Sequence, residues 1–479
     1  MSLTIVLTLL LLAAGFYMSW NIGANDVSNA MGTSVGSGAL TLRRAVIIAA
    51  VLEFSGAFFL GSSVSETLQK GIIEMNQFAH DPTSLLIGMF SALLATSVWL
   101  QVASYMGWPV STTHAIVGAI LGFGIVVGGT SVIQWKEVGS IALSWIVSPV
   151  LSGIVSYFIF GAIQRKVLYA FHPIEATKKL IPYLTFIVFA SFLIATGFSG
   201  LKNLNLNPPL YLLIIISLLI AICCAFISHF LIQKVGNNSG LASLSLKNIH
   251  QLYSLNKAIK HLERLKIAST GAVQEQVSSS LAHLTNLSKS LESKTEPRDA
   301  PSEYQIVEKM FSYLQILSAC FVAFAHGAND VANAIGPVAS AVEIIRNPKT
   351  FNAIAPIPLW LLAMGGVGIV IGLATWGWRV IETIGKKITE LTPTRGFSAE
   401  FGAALTILIA SKLGMPISTT HCIVGAVLGV GLAKGISALN LRMIKDIVLS
   451  WIITIPSSAI TCVILYSLIK ILLGSSQLF

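Results

Sequence analysis

PVSTTHAIVGAILGFG, residues Pro109 to Gly124, returns 307 residues later as PISTTHCIVGAVLGVG, Pro416 to Gly431. A second phrase behaves the same way: GANDVSNAMG, Gly23 to Gly32, returns as GANDVANAIG, Gly327 to Gly336, a shift of 304. Two phrases repeated in the same order at nearly the same offset mean an internal duplication. Both phrases put polar side chains inside otherwise apolar runs, so their setting decides what they are for.

The setting is a membrane. Of 479 residues, 54% are hydrophobic and 10% charged, against about 25% charged in soluble domains. Apolar runs of the length that crosses a hydrocarbon core of about 30 Å fall near 3–22, 44–63, 83–105, 109–128, 138–162, 180–200, 208–233, 306–326, 356–378, 398–413, 416–433 and 445–470. Backbone in lipid must satisfy its own hydrogen bonds, and Leu, Ile, Ala and Gly favour helices over a barrel. The expected fold is an all-α integral membrane protein of about twelve transmembrane segments. The first run has no positive residue before it and leads straight into a polar phrase, so it reads as a retained helix rather than a cleaved signal.

Charge orients the chain. With the uncharged N-terminus outside, Arg43/Arg44, Arg165 to Lys179, the stretch from Lys234 and Arg379 to Arg395 all fall inside. About 23 of the 30 Lys and Arg then lie on one side, which is the positive-inside bias. The formal charge of +10 therefore marks topology and not a nucleic-acid partner. Seven apolar segments separate the starts of the two copies, so the copies are inverted, an arrangement that places a substrate site near the bilayer midplane where the repeats meet. The expected domains are a first membrane repeat (1–162), two linking helices (163–233), a cytoplasmic helical and flexible insert (234–305) and a second membrane repeat (306–479). The insert carries nine basic and four acidic residues between Lys234 and Arg298. Pro109 and Pro416 follow the preceding runs almost without a loop, so each STTH phrase also fits the tip of a re-entrant hairpin.

Each STTH reads as a helix start. Proline suits the approach to a first turn and Ser and Thr are good N-caps, leaving free N–H groups, hydroxyls and a positive dipole end that favour an anion. Ser111, Thr112, Thr113, Ser418, Thr419 and Thr420 together suit a small, oxygen-rich, tetrahedral anion. Positive residues are nearly absent from the apolar segments, so a co-transported cation has to help hold it.

The GAND phrases supply hard oxygen ligands for a small cation: Asp26 and Asp330, with Asn25, Asn29, Asn329 and Asn333. A carboxylate in hydrocarbon is costly and usually marks an ion or substrate path. Glu53 and Glu400 each belong to one half only, aligning near Gly366 and Leu93, and are candidates for proton or cation coupling, with Glu400 placed near a membrane interface. Glu66 and Glu382 read as solvated or capping residues at helix ends. His114, His326 and His421 come without HExxH or a Cys/His cluster, so a hydrogen-bonding role is expected and a zinc enzyme is not. The five cysteines lie in apolar runs without metal-ligand spacing and read as packing residues. An intramembrane hydrolase would need nucleophile, base and orienter together in one half; an anion channel would need no acid-rich cation site.

The paired GAND and P-[IV]-STTH phrases, in this order around a hydrophilic central loop, resemble the inorganic phosphate transporter (PiT) family. The resemblance implies a symporter of inorganic phosphate driven by sodium or protons, sodium favoured, with twelve membrane segments in the cell membrane, both termini outside and no cofactor. It further implies Asp26 and Asp330 as sodium ligands with Asn29 and Asn333, Ser/Thr of both STTH phrases with Asn25 and Asn329 around phosphate, accessory roles for Glu53, Glu400 and His326, and a homodimer in the bilayer. Trp20 and Asn21 precede the first GAND, so a histidine role belongs to one half. Sulfate permeases resembling the same family carry similar motifs and stand as the alternative.

Overall fold

The computed structural model of the protein describes residues 3–62, 64–65, 72–78, 80–203, 209–235, parts of 254–269, 271–293, 303–347, 357–381, 391–435 and 439–473. Nearly all of these are helical, and among them the β contact is an isolated antiparallel bridge between Ile73 and Ile133. Glu66 and Glu382 lie outside the described residues.

The first half comprises α1 (Leu3–Gly36), α2 (Leu42–Leu60), α3 (Pro82–Met106), α4 (Thr112–Phe123, continued by a π turn over Gly124–Gly128) and α5 (Trp135–Ile163). Two linking helices follow, α6 (Pro173–Asn203) and α7 (Leu210–Lys234), then α8 (Ala272–Ser293) within the insert. The second half comprises α9 (Glu303–Arg346), α10 (Leu359–Trp376), α11 (Pro393–Lys412), α12 (Thr419–Lys434) and α13 (Leu441–Leu473). Among the described residues eight helices are long and apolar enough to cross a membrane, with two shorter apolar ones.

Two expectations about the runs change. The first apolar run was expected to end at residue 22 and the eighth at 326, but α1 and α9 continue through the GAND phrases to Gly36 and Arg346. The Asn and Asp side chains there are buried and bond to other helices, so they do not compete with their own backbone for helix hydrogen bonds. The runs at 109–128 and 416–433 become α4 and α12, of 12 and 16 residues. At 1.5 Å per residue they reach about 18 and 24 Å, short of the hydrocarbon thickness.

Each short helix is the second arm of a hairpin. α3 ends at Gly107 and α11 just before Gly414, both in the left-handed region at φ 69° and 67°. The chain there tightens with Trp108 N donating to Ala103 O at 2.9 Å and Met415 N to Ala410 O at 2.9 Å. Ser111 then caps α4 by accepting from His114 N, and Ser418 caps α12 by accepting from His421 N, both at 3.2 Å. A β-branched residue at a positive φ is strained by about 1–3 kcal/mol. Gly107→Val should therefore lower the melting temperature of the detergent-purified protein by several degrees, while Gly139→Ala, on an open stretch of α5, should leave it within about one degree.

Close approach makes the duplication visible as reciprocal packing. A Cβ on Gly23 would collide with the carbonyl of Ile369 in α10, and a Cβ on Gly327 with that of Glu53 in α2. Gly372 meets Trp20 as Gly56 meets Phe324, and Gly118 meets Ile455 of α13 as Gly425 meets Pro149 of α5. Pairs that exchange in this way describe a pseudo-two-fold axis. They also correct one alignment: Glu53 stands opposite Ile369, three residues beyond Gly366.

The polar phrases thus occupy the centre. Around them the described faces of α5, α7 and α13 present exposed Leu, Ile, Val and Phe, the pattern of helices facing lipid.

Candidate functional site

The two hairpin tips meet at the pseudo-axis. Thr113 Oγ1 donates to Ile417 O at 3.0 Å, and Thr420 Oγ1 donates to Val110 O at 3.1 Å, so each tip is tied to the backbone of the other. Both STTH phrases are buried, as are the GAND side chains beside them.

GAND and STTH interlock across the halves. Asn29 Nδ2 on α1 donates to Thr420 Oγ1 at 2.9 Å and to Thr419 Oγ1 at 3.4 Å; Asn333 Nδ2 on α9 donates to Thr112 and Thr113 Oγ1, each at 3.2 Å. Asn25 and Asn329 do different work. Asn25 spends both ends of its amide on its own hairpin, donating to Ser104 Oγ and Trp108 O at 3.1 Å and accepting from Val110 N at 3.3 Å. Asn329 donates to Ser411 Oγ at 3.0 Å. Asn25 thus fastens the hairpin tip, although it shares a helix face with Asn29.

The carboxylates come from opposite halves into one place. Asp26 Oδ1 accepts from Asn29 at 3.2 Å and Thr420 at 3.3 Å, while its Oδ2 has no close hydrogen-bond partner among the described residues. Asp330 Oδ2 accepts from Thr419 at 2.7 Å and lies 3.0 Å from His326 Nε2; its Oδ1 is likewise without a partner, as is Asn29 Oδ1. Ligand atoms of Asp26, His326 and Asp330 lie within 4.8 Å of one another, and all three residues are buried. Two buried carboxylates this close repel unless a positive charge joins them. Hard oxygens beside the N-terminal ends of two half-helices are groups that can hold a small cation and, next to it, an anion.

Asymmetry sits to one side of this core. His326 bridges Asp330 to Glu53, with Nδ1 3.3 Å from Glu53 Oε1. Glu53 and His326 are fully buried, and the pseudo-axis puts Ile369 of the second half and Ile22 of the first at the matching places. The sequence places Glu400 near an interface, as a coupling acid or a solvated one, and it is fully buried. The reason is a complete set of donors: Thr33, Ser34 (2.6 Å), Ser318 (2.6 Å) and Gln315 (3.1 Å) all point at its oxygens. This pocket ties the end of α1 to the start of α9. In Glu400→Gln an amide NH2 would face these donors, so the folded state should lose about 2–4 kcal/mol, read as a lower melting temperature with sodium and phosphate both absent.

Sequence reasoning missed several of these partners. Ser104 and Ser411 stand 307 apart, the hairpin offset, and that match was the available signal. Thr33, Ser34, Gln315 and Ser318 had none, because their counterparts Pro337, Val338, Leu11 and Ala14 are not polar donors. Two tryptophans were missed also: His114 packs on Trp145 at 3.9 Å and against His421 at 4.4 Å, and His421 stacks on Trp451 at 3.6 Å. His421 Nδ1 also lies 3.2 Å from Trp145 O.

This chain is similar to known transporters over nearly its whole length. The model of the "Phosphate transporter family" matches residues 22–462. A candidate phosphate permease of Chlamydia pneumoniae is 44% identical over 97% of this chain and 99% of its own. The chloroplastic inorganic phosphate transporter 2-1 of Arabidopsis thaliana is 44% identical over 94% of this chain and 70% of its own. Among solved structures, one described as the sodium-dependent phosphate transporter superposes with a TM-score of 0.79 at 36% identity, covering 97% of this chain and 99% of that one. Its helical architecture is that of a membrane transporter, and no enzyme is among these relatives. On the duplicated motifs, the fold they build and these matches, the chain belongs to the phosphate transporter family.

Proposed function

We propose that the protein imports inorganic phosphate by symport with sodium, alternating access between the two sides of the cell membrane about the site where its inverted halves meet. The observation that carries the reading is the pairing of two buried, incompletely partnered carboxylates, Asp26 and Asp330, with two half-helix N-termini in one occluded place. Phosphate would take the hydroxyls of Ser111 to Thr113 and Ser418 to Thr420 and the helix ends behind them. Sodium would take Asp26, Asp330 and the Asn29 and Asn333 amides, offsetting the carboxylate repulsion that otherwise excludes an anion. Each ion thereby makes room for the other, which is coupling in its thermodynamic sense.

Occlusion favours this over a channel. Asp330 and His326 are fully buried and Thr113 nearly so, so a bound ion leaves only when the halves rearrange. The charge bias places both termini outside and the insert inside. The solved relative, described as sodium-dependent, supports sodium as the coupling ion. A phosphate oxygen that carries a proton can donate to Asp26 or Asp330, whereas sulfate has no proton to give; this favours phosphate over sulfate in the same cradle.

The test is labelled phosphate uptake into proteoliposomes under an inward sodium gradient, an inward proton gradient or neither, with labelled sulfate in parallel. Concentrative phosphate uptake that needs sodium is the expected result. Uptake driven by protons alone would reassign the coupling ion, and equal sulfate uptake would remove the selectivity argument.

A further inference from the structure

We propose that Arg379 is a positioning residue for transport, latching the tip of the first hairpin (α3–α4) to the α1–α10 pair and thereby holding one gate of the central site closed. The inference rests on the alternating-access reading above. Arg379 follows the end of α10, and its guanidinium carbon lies 5.2 Å from the ring centre of Tyr105, 5.0 Å from Trp376 and 5.2 Å from Trp378. Its Nη1 is 3.5 Å from Tyr105 O. Tyr105 belongs to the last turn of α3, where carbonyls lack helical partners and the dipole favours a cation. Among the described residues the partners of this arginine are three rings and a carbonyl rather than a carboxylate, a cage that weakly hydrated guanidinium suits better than ammonium.

The latch reaches the site through rigid packing. Trp376 meets Trp20 of α1 at 5.6 Å. Gly377 sits against Val27, the neighbour of Asp26, and Gly372 against the carbonyl of Trp20, so the end of α10 moves with the GAND segment of α1. On another flank of the same hairpin a cavity of about 390 Å³ separates its tip from α13, lined by Trp99, Trp108, Pro109, Asp446 and Ser450 among others. Tip movement thus has space on one flank and is restrained on another.

The restraint is asymmetric in sequence. Gly377 against Val27 is matched by Gly61 against Val331, and at the same repeat offsets the sequence has Ser63 for Arg379 and Lys412 for Tyr105. Inverted halves interconvert two states by exchanging their conformations. A guanidinium-on-ring contact, which the side-chain types of Ser63 and Lys412 cannot copy, is lost in that exchange, so it biases the equilibrium toward the state that has it.

The experiment uses the full chain with its five cysteines replaced by alanine and Ser450→Cys as a reporter in the cavity beside the tip. Modification of this introduced thiol by a polar thiol reagent is timed in purified protein with sodium and phosphate present. Arg379→Gln should speed modification about five- to tenfold, the effect of losing cation–π contacts with several rings, and Arg379→Lys should fall between. In proteoliposomes the same variants should change kcat more than KM. Rates within twofold of the parent in both variants would overturn the latch. Should the glutamine variant not fold, Tyr105→Leu, which removes one exposed ring, carries the decision: a twofold or greater acceleration supports the proposal and an unchanged rate overturns it. Acceleration in a protein that moves no phosphate would sink the transport reading and leave the latch standing.

Discussion

Asp330→Asn should reduce sodium-driven phosphate uptake by about 100-fold or more. The residue holds Thr419 at 2.7 Å, faces His326 at 3.0 Å and keeps one oxygen unpartnered inside the compartment it shares with Asp26. Asparagine keeps the size and loses the charge, so under the proposed function sodium would lose a carboxylate ligand in a buried site. Removing one member of a buried charge set costs about 3–5 kcal/mol, and each 1.4 kcal/mol is about tenfold. Asp26→Asn should also reduce phosphate uptake, by a smaller factor. Asp26 has no histidine beside it in its own half, whereas Asp330→Asn leaves His326 held by Glu53 alone. Uptake rates for the two variants, at saturating and limiting sodium, check both the size and the order. Equal, near-normal uptake in both would mean the carboxylates are not at the coupling site.

Thr420→Val should raise the KM for phosphate about 10- to 100-fold, and Thr113→Val should do nearly the same. Thr420 Oγ1 serves Asn29, Asp26 and the carbonyl of Val110; Thr113 Oγ1 serves Asn333 and the carbonyl of Ile417. Valine fills the volume but unties one tip from the other and removes a donor to the anion, and a hydrogen bond to a charged group is worth about 1.5–3 kcal/mol. Serine at either position keeps the hydroxyl and should restore most of the affinity. Because the two tips hold each other, the double variant should cost less than the product of the single effects, a coupling that a double-mutant cycle on phosphate KM would read.

Much of this site was legible in the sequence because it is written twice. The GAND and STTH phrases announce themselves by repetition, and the positive-inside bias turns repetition into inversion. Helix starts at Ser111 and Ser418 follow from local capping chemistry, and the structure shows those caps. What could not be read is what happens once. Glu400 looks like an interfacial acid until Thr33, Ser34, Gln315 and Ser318 close round it, and its bonds to α1 span more than 360 residues of chain. The second role of the asparagines was hidden for another reason. Asn25 and Asn29 share a face by helical periodicity, but periodicity does not say that one would fasten its own hairpin and the other bond to the opposite half. Arg379 likewise looked like one of several inside-facing positive charges, since its aromatic cage is assembled from α3 and the end of α10.

The central claim is that sodium held between Asp26 and Asp330 makes the compartment fit for phosphate. The most direct test is the affinity of the purified protein for phosphate, measured calorimetrically across sodium concentrations, together with its affinity for sodium across phosphate concentrations. Both should rise, and by the same factor, as reciprocity of linked binding requires. Phosphate binding that is tight and indifferent to sodium would contradict the account.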